Sequence, residues 1–128
     1  MSLTWQELIA MVKGEIRQAS TKQLMQEMST GQQVHIVDVR EQDEFERGHI
    51  PGALFMPRGF LELRIENTIP DRTARIYLYC GGGNRSALAA RSLQEMGYTD
   101  VFSLEGGFSQ WQRESKPVEE VLSPDSQS

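Results

Sequence analysis

Short apolar runs that alternate with helix-like segments are the feature that most restricts the fold of this chain. Four runs are typical of strands, because they are brief, rich in β-branched or aromatic residues, and bounded by turn-forming residues. They cover residues 34–39, 53–56, 76–79 and 101–104. Strands that alternate with helices favour an α/β fold with a largely parallel sheet.

A helix is predicted at the start of the chain, over residues 3–13. Thr4 and Glu7 form a capping-box pattern there, and Gly14 is expected to end the helix. An apolar stripe follows at helical spacing: Trp5, Leu8, Ile9 and Val12. We interpret this stripe as packing on the domain, and docking of a partner or a second copy is the alternative.

Further helical segments divide the strands from one another. They are predicted at residues 20–31, 41–47, 60–65 and 86–96, with a last short helix from residue 108. The sequence after Pro117 is acidic and lacks apolar spacing, which is typical of a frayed tail. We therefore expect an N-terminal helical extension over 1–14, one main domain over 15–115, and a flexible C-terminal tail over 116–128.

Charge and hydropathy exclude several functional classes. The 128 residues include 18 acidic and 13 basic side chains, which give a net charge of −5. This balance argues against binding to nucleic acid or to an anionic membrane surface. No segment approaches the ~18 apolar residues of a membrane span, and the first residues lack the pattern of a signal peptide. We expect a cytoplasmic location, where a free thiol stays reduced.

The sequence contains a single cysteine, Cys80. One cysteine cannot form an intrachain disulfide, a thiolate zinc cluster or a CxxC redox pair, and we expect no metal and no organic cofactor. Cys80 is therefore buried filler, an incidental surface thiol, or a nucleophile.

The residues around Cys80 favour the nucleophile. Cys80 follows a predicted strand, and ligands bind beyond the carboxyl ends of parallel strands. The loop that leads to the next helix reads Gly81, Gly82, Gly83, Asn84, Arg85 and Ser86. Three glycines allow dihedrals closed to other residues, and their bare amides can converge on an anion. The helix dipole and the charge of Arg85 also favour a thiolate, so we expect a lowered pKa for Cys80.

The chain resembles the rhodanese family, specifically its single-domain sulfurtransferases. Three segments carry the resemblance in the same order and spacing, from about residue 15 to 115. The first is Asp38-Val39-Arg40 with Glu44-Phe45 and Gly48-His49-Ile50-Pro51-Gly52-Ala53, the second is the loop from Cys80 to Ser86, and the third is Leu104-Glu105-Gly106-Gly107-Phe108 with Trp111. The resemblance implies a three-layer α/β/α fold, in which helices flank a central five-stranded parallel sheet, with the N-terminal helix as an addition.

The resemblance also implies an activity and its partners. Cys80 would take a sulfane sulfur from a small anionic donor such as thiosulfate and pass it from a persulfide to a thiol or cyanide. The alternative is a sulfur-relay or interaction module that carries persulfide to a partner protein. Related phosphatases use Cys-x5-Arg, whereas Cys80 and Arg85 give Cys-x4-Arg, so phosphatase or arsenate-reductase activity is disfavoured. We expect a monomer or a weak homodimer.

Several polar residues are assigned roles at this stage. Cys80 is the expected catalytic residue, and residues 81–85 are the expected active-site loop. Arg85 is expected to attract an anionic donor, although it can also pair with a carboxylate, and Arg58 is a second candidate for the rim of the site. We interpret Asp38, Arg40, Glu44 and His49 as structural polar residues.

Overall fold

Six α-helices and five strands form the described part of the chain, residues 2–121 of a computed structural model. The strands are Arg17–Ala19 (β1), His35–Asp38 (β2), Leu54–Phe55 (β3), Ile76–Tyr79 (β4) and Val101–Leu104 (β5). The helices are Trp5–Glu15 (α1), Thr21–Ser29 (α2), Gln42–Arg47 (α3), Leu61–Thr68 (α4), Asn84–Glu95 (α5) and Gly107–Arg113 (α6). A 3-10 turn, Arg58–Phe60, precedes α4.

The strands form one parallel sheet in the order β1-β5-β4-β2-β3. This sheet, flanked by helices, confirms the predicted architecture. β4 lies at its centre, paired with β5 on one side and with β2 on the other. Cys80 follows β4 directly and therefore emerges in the middle of the carboxyl edge.

Side chains alternate between the two faces of the sheet, as the pleat requires. One face packs under α4 and α5, and its core contains Val37, Leu78, Val101, Ile65 and Leu93. The other face packs under α2 and α6, and its core contains Ile36, Tyr77, Phe102, Leu24 and Trp111. Both layers are apolar, so the sheet is a rigid base for the residues at its carboxyl edge.

α1 begins with the predicted capping box. The Thr4 hydroxyl accepts a hydrogen bond from the Glu7 amide at 3.1 Å, and the Glu7 carboxylate accepts one from the Thr4 amide at 3.0 Å. Ile9 and Val12 are buried, and α1 packs against α5. Trp5 is 54% exposed, so the predicted apolar stripe is buried only in part. The helix also continues through Gly14, the expected stop, to Glu15.

The apolar runs located four strands, and β1 is the fifth strand, which the resemblance implied but no local pattern located. It pairs with β5 at the sheet edge over the three residues Arg17–Ala19. The other strands coincide with the predicted runs, within one or two residues at their ends.

The segment after α6 returns to the domain. The Trp111 indole donates to the Pro117 carbonyl at 2.7 Å, and the backbones of His49 and Glu119 exchange two hydrogen bonds of 2.9 Å. The rest of the predicted tail, residues 122–128, lies outside the described residues. Within residues 2–121, every helix is too short or too polar to span a membrane.

Candidate active site

The loop between β4 and α5 encloses the thiol. Cys80 is only 1% exposed, and α5 begins at Asn84, two residues before the predicted start. Gly83 precedes the helix with a φ of +106°, in the left-handed region that favours glycine. Gly81 and Gly82 lie outside that region, so the loop uses the dihedral freedom that the three glycines allow only at Gly83.

Hydrogen-bond donors converge on the sulfur of Cys80. The amides of Gly83 and Ser86 lie 3.1 and 3.4 Å from Sγ, and the Ser86 hydroxyl oxygen lies 3.5 Å from it. Burial raises the pKa of the Cys80 thiol, but the Ser86 hydroxyl and the amides of Ser86, Gly83 and Gly82 lower it by more. The net pKa lies below its usual value, which favours the nucleophilic thiolate.

The start of α6 fixes the loop from its other side. The Phe108 amide donates to the Cys80 carbonyl at 2.8 Å, and the Ser109 amide donates to the Gly81 carbonyl at 3.0 Å. Gly107 makes this approach possible, since a Cβ atom there would lie 2.4 Å from the Cys80 carbonyl oxygen. The third sequence segment of the resemblance therefore supports the loop directly.

Arg85 pairs with a carboxylate, the alternative that the sequence left open. Its Nη1 lies 3.4 Å from Oε1 of Glu44, and its guanidinium lies close to Gly81. Burial raises the pKa of Glu44, but hydrogen bonds from the Glu41 amide and from Arg85, together with nearby positive charge, lower it by more. Glu44 is therefore ionised near neutral pH and offsets part of the charge of Arg85. The interpretation of Glu44 as purely structural missed this contact.

Arg58 is not brought to the loop. Its guanidinium donates to Glu62 at 2.8 Å and to the Ser92 hydroxyl at 3.1 Å, two turns along α5 from the active-site loop. Glu62 lies four residues further along, in the first turn of α4, which is close enough for the arginine to pair with it. Among the described residues, the side-chain hydrogen bonds of Arg58 therefore lead away from the rim that we expected it to reach.

Asp38 and Arg40 form a buried ion pair beside the site, as interpreted from the sequence. Arg40 Nη2 donates to Asp38 at 2.7 Å and to the Gly48 carbonyl at 2.7 Å, and its guanidinium lies 4.3 Å from the Phe108 ring centroid. His49 is also structural, since its Nδ1 lies 2.8 Å from the Phe45 carbonyl oxygen. This cluster connects the first sequence segment to α6 and so to the loop.

A polar cleft opens beside the loop. Its volume is about 270 Å³, and its walls include Glu44, Arg47, Gly81, Ser109 and Gln112. This volume accommodates a small anion or a small thiol. Within residues 2–121, no group of three or more His, Cys, Asp or Glu side chains is arranged to hold a metal ion.

Two hydroxyl residues at the site were absent from the predicted set. Ser86 had no role assigned from the sequence beyond following the active-site loop. A hydroxyl residue in the first turn of the helix next to the thiol could have indicated a contact with Cys80. Ser103, in the middle of β5, lies 2.8 Å from Ser86 between hydroxyl oxygens. A polar residue within an otherwise apolar strand was the signal for Ser103.

The sequence pattern of the family described as Rhodanese-like domain matches residues 20–114. The Thiosulfate sulfurtransferase GlpE of Shewanella oneidensis is 40% identical over 92 residues, which cover 72% of this chain and 88% of that protein. A protein named Sulfurtransferase from Allochromatium vinosum is 31% identical over 103 residues, which cover 80% of this chain and 94% of that protein.

Solved structures show the same fold. A Rhodopseudomonas palustris protein, described as of unknown function and a possible tyrosine phosphatase, aligns with a TM-score of 0.81 and 32% identity. The alignment covers 93% of this chain and 96% of that one.

The matches to two Bacillus subtilis relatives span only 59% and 51% of the lengths of those proteins.

Proposed function

This chain belongs to the rhodanese-like domain family, and we propose that it is a sulfurtransferase that carries a sulfane sulfur on Cys80. The observation that carries the proposal is the pair of backbone amides, Gly83 and Ser86, that donate to Sγ, with the Ser86 hydroxyl in hydrogen-bond contact at 3.5 Å. Donors that stabilise a thiolate also stabilise the terminal sulfur anion of a persulfide.

The proposed reaction has two displacement steps. The Cys80 thiolate attacks the outer sulfur of thiosulfate, the new sulfur–sulfur bond forms a cysteine persulfide anion, and sulfite leaves with the electron pair of the broken bond. Cyanide or a thiolate then attacks the terminal sulfur, which yields thiocyanate or a new persulfide and restores the Cys80 thiolate. Charge balances in both steps, and neither requires an added oxidant or reductant.

The surroundings of the loop support a small anionic donor. The cleft beside Gly81 has room for thiosulfate, Arg47 is among its walls, and Arg85 pairs with the lining residue Glu44. The named activity of the Shewanella oneidensis relative is the reason to choose thiosulfate as the first donor to test. A single thiol suffices for this cycle, so any disulfide step would need an external thiol.

Intact mass after incubation with thiosulfate tests the proposal. We expect the wild-type chain to gain the mass of one sulfur atom with release of sulfite, and the Cys80→Ser variant to gain nothing. Added cyanide should remove the extra sulfur and produce thiocyanate. If thiosulfate and other sulfane donors all leave the mass of the folded wild-type chain unchanged, the proposal is wrong.

A sulfur relay to a partner protein is the second candidate, favoured by one comparison. A Bacillus subtilis relative, 32% identical over 96 residues, is named as a candidate sulfur carrier protein. Slow release of the loaded sulfur to cyanide and dithiothreitol, with rapid transfer to a protein thiol, would favour the relay. Rapid turnover with the small acceptors would favour the enzyme.

Phosphatase activity is a third candidate because of the description of the Rhodopseudomonas palustris protein. The short Cys-x4-Arg loop argues against it, and so does the pairing of Arg85 with Glu44. Hydrolysis of para-nitrophenyl phosphate that disappears in Cys80→Ser would overturn this argument.

A further inference from the structure

Ser103 is a buried hydroxyl residue in an apolar environment. It lies on β5, is 1% exposed, and pairs in register with Leu78 of β4. Strand alternation places it on the same face as Val101, whose cluster is apolar. A buried hydroxyl without a partner is unfavourable, whereas alanine needs no partner. Core packing alone therefore does not account for a serine at this position.

The partner of Ser103 is the hydroxyl that also faces the thiol. The Ser103 and Ser86 hydroxyl oxygens lie 2.8 Å apart, and Ser86 Oγ lies 3.5 Å from Sγ of Cys80. Among residues 2–121, Ser86 is the only side chain with which the Ser103 hydroxyl makes a hydrogen bond. Cys80, Ser86 and Ser103 thus form a short buried chain of polar groups.

The ionisation state of Cys80 sets the direction of the protons in this chain. A serine hydroxyl has one proton to donate, and a thiolate can only accept. When Cys80 is ionised, Ser86 must direct its proton to Sγ, and its oxygen is then free to accept the proton of Ser103. When Cys80 is a neutral thiol, its proton can point to Ser86 and the directions reverse.

We propose that Ser103 is a positioning residue that holds the Ser86 hydroxyl with its proton directed at the sulfur of Cys80. The inference rests on the proposed function, in which this sulfur is the nucleophile. Ser103 touches neither the sulfur nor a substrate, and it acts only through Ser86. A hydrogen bond to an ionised group is stronger than one between neutral groups, and a second donor polarises the first.

Other charged groups lie near the loop, and substitution of either serine does not change their charge. Arg85 and its partner Glu44 lie above Gly81, and Arg40 and Arg47 line the adjacent cleft. Glu44, Arg40 and Arg47 line the cleft and Arg85 pairs with Glu44, whereas Ser103 lies within the sheet on β5. A change at Ser103 therefore leaves these charges in place.

The thiol pKa tests the proposal without any sulfur donor. The rate of alkylation by iodoacetamide is measured against pH, and the single cysteine guarantees that the signal comes from Cys80. Loss of a hydrogen bond to the thiolate in Ser86→Ala should raise the pKa by about 1–2 units. Ser103→Ala should raise it by on the order of 0.5 unit. The double variant should match Ser86→Ala, because Ser103 acts only through Ser86.

Val101→Ala is the matched control, since it alters the same face of the same strand without touching a hydroxyl. It should lower the melting temperature and leave the pKa unchanged. The proposal is overturned if Ser103→Ala leaves the pKa unchanged, if Val101→Ala shifts it equally, or if the two serine effects add. Sulfur loading is measured separately. If the serine variants show these pKa shifts but the wild-type chain takes up no sulfur, only the proposed function is refuted.

Discussion

Replacing Gly107 with alanine should damage both the stability and the active-site loop. A Cβ atom at this position would lie 2.4 Å from the Cys80 carbonyl oxygen and 2.7 Å from the Gly81 carbonyl oxygen. Real Cβ atoms do not approach backbone so closely, so α6 and the loop must separate. That movement stretches the 2.8 Å hydrogen bond from the Phe108 amide to the Cys80 carbonyl.

The loss can be worked out from these contacts. Overpacking costs about 1–3 kcal/mol, a left-handed residue other than glycine costs about 1 kcal/mol, and the weakened hydrogen bond costs about 1 kcal/mol. A total of about 3–5 kcal/mol corresponds to a melting temperature lower by roughly 10–20 °C for a domain of this size. Circular dichroism measures the melt, and alkylation of Cys80 well below the melting temperature reports the loop geometry.

Gly82→Ala is the control for Gly107→Ala. A Cβ atom at Gly82 would have nothing within 4 Å, its φ is not left-handed, and alanine keeps the amide. This variant should change the free energy of unfolding by less than about 0.5 kcal/mol. The reasoning is refuted if Gly107→Ala melts like the wild type, or if Gly82→Ala is destabilised as much as Gly107→Ala.

Three further predictions concern charge and packing. Glu44→Gln should lower the KM for thiosulfate about twofold to fivefold, because it releases the charge of Arg85, and the gain should shrink at high salt. Val12→Ala should lower the free energy of unfolding in urea by about 2 kcal/mol, whereas Met11→Ala on the exposed face should change it by less than about 0.5 kcal/mol. Burial raises the pKa of Asp100, but hydrogen bonds from its arginine partners and their charge lower it by more. The stabilising effect of the Asp100 carboxylate is therefore present above the unfolded pKa of about 3.9, and it is lost as the pH falls through the lower folded pKa. Asp100→Asn should therefore reduce the loss of stability between pH 5 and about pH 2, measured by denaturation at each pH.

Each of these predictions has an opposing result. An unchanged or higher KM in Glu44→Gln would mean that Arg85 does not attract the donor. Equal effects of Val12→Ala and Met11→Ala would mean that α1 contributes little through its buried face. If Asp100→Asn and the wild type have the same acid denaturation profile, the ion pairs of Asp100 do not contribute to the loss of stability in acid.

The sequence predicts those parts of the fold in which a local pattern and the final packing agree. The apolar run at β4, the glycines after it and the helix that follows each carry a clear local signal. β1 does not, because Arg17–Ala19 is too short to show a period and has only one buried residue. Its strand conformation depends on pairing with β5, a contact between residues far apart in the chain.

The site was predicted in the same uneven way. The position of Cys80 and the amides near it follow from a strand, a loop and a helix that are consecutive in sequence. Glu44 and Ser103 reach the site from α3 and β5, at sequence separations of 41 and 17 residues from their partners. A local pattern can mark Ser103 as a polar residue in an apolar strand, but it does not report which partner either side chain meets. Arg58 is the opposite case. The sequence suggested that it could reach the rim of the site, but its guanidinium pairs with Glu62, about one helical turn further along the chain.

The two edges of the sheet are formed by its shortest strands, three residues in β1 and two in β3. A strand from another copy would find few unpaired backbone groups at either edge, so ordered growth of the sheet beyond five strands is unfavourable. The longer, more apolar strands β4 and β5 are enclosed within the sheet. We therefore expect this fold to resist strand-mediated aggregation while folded, and to become vulnerable when unfolding exposes β4 and β5.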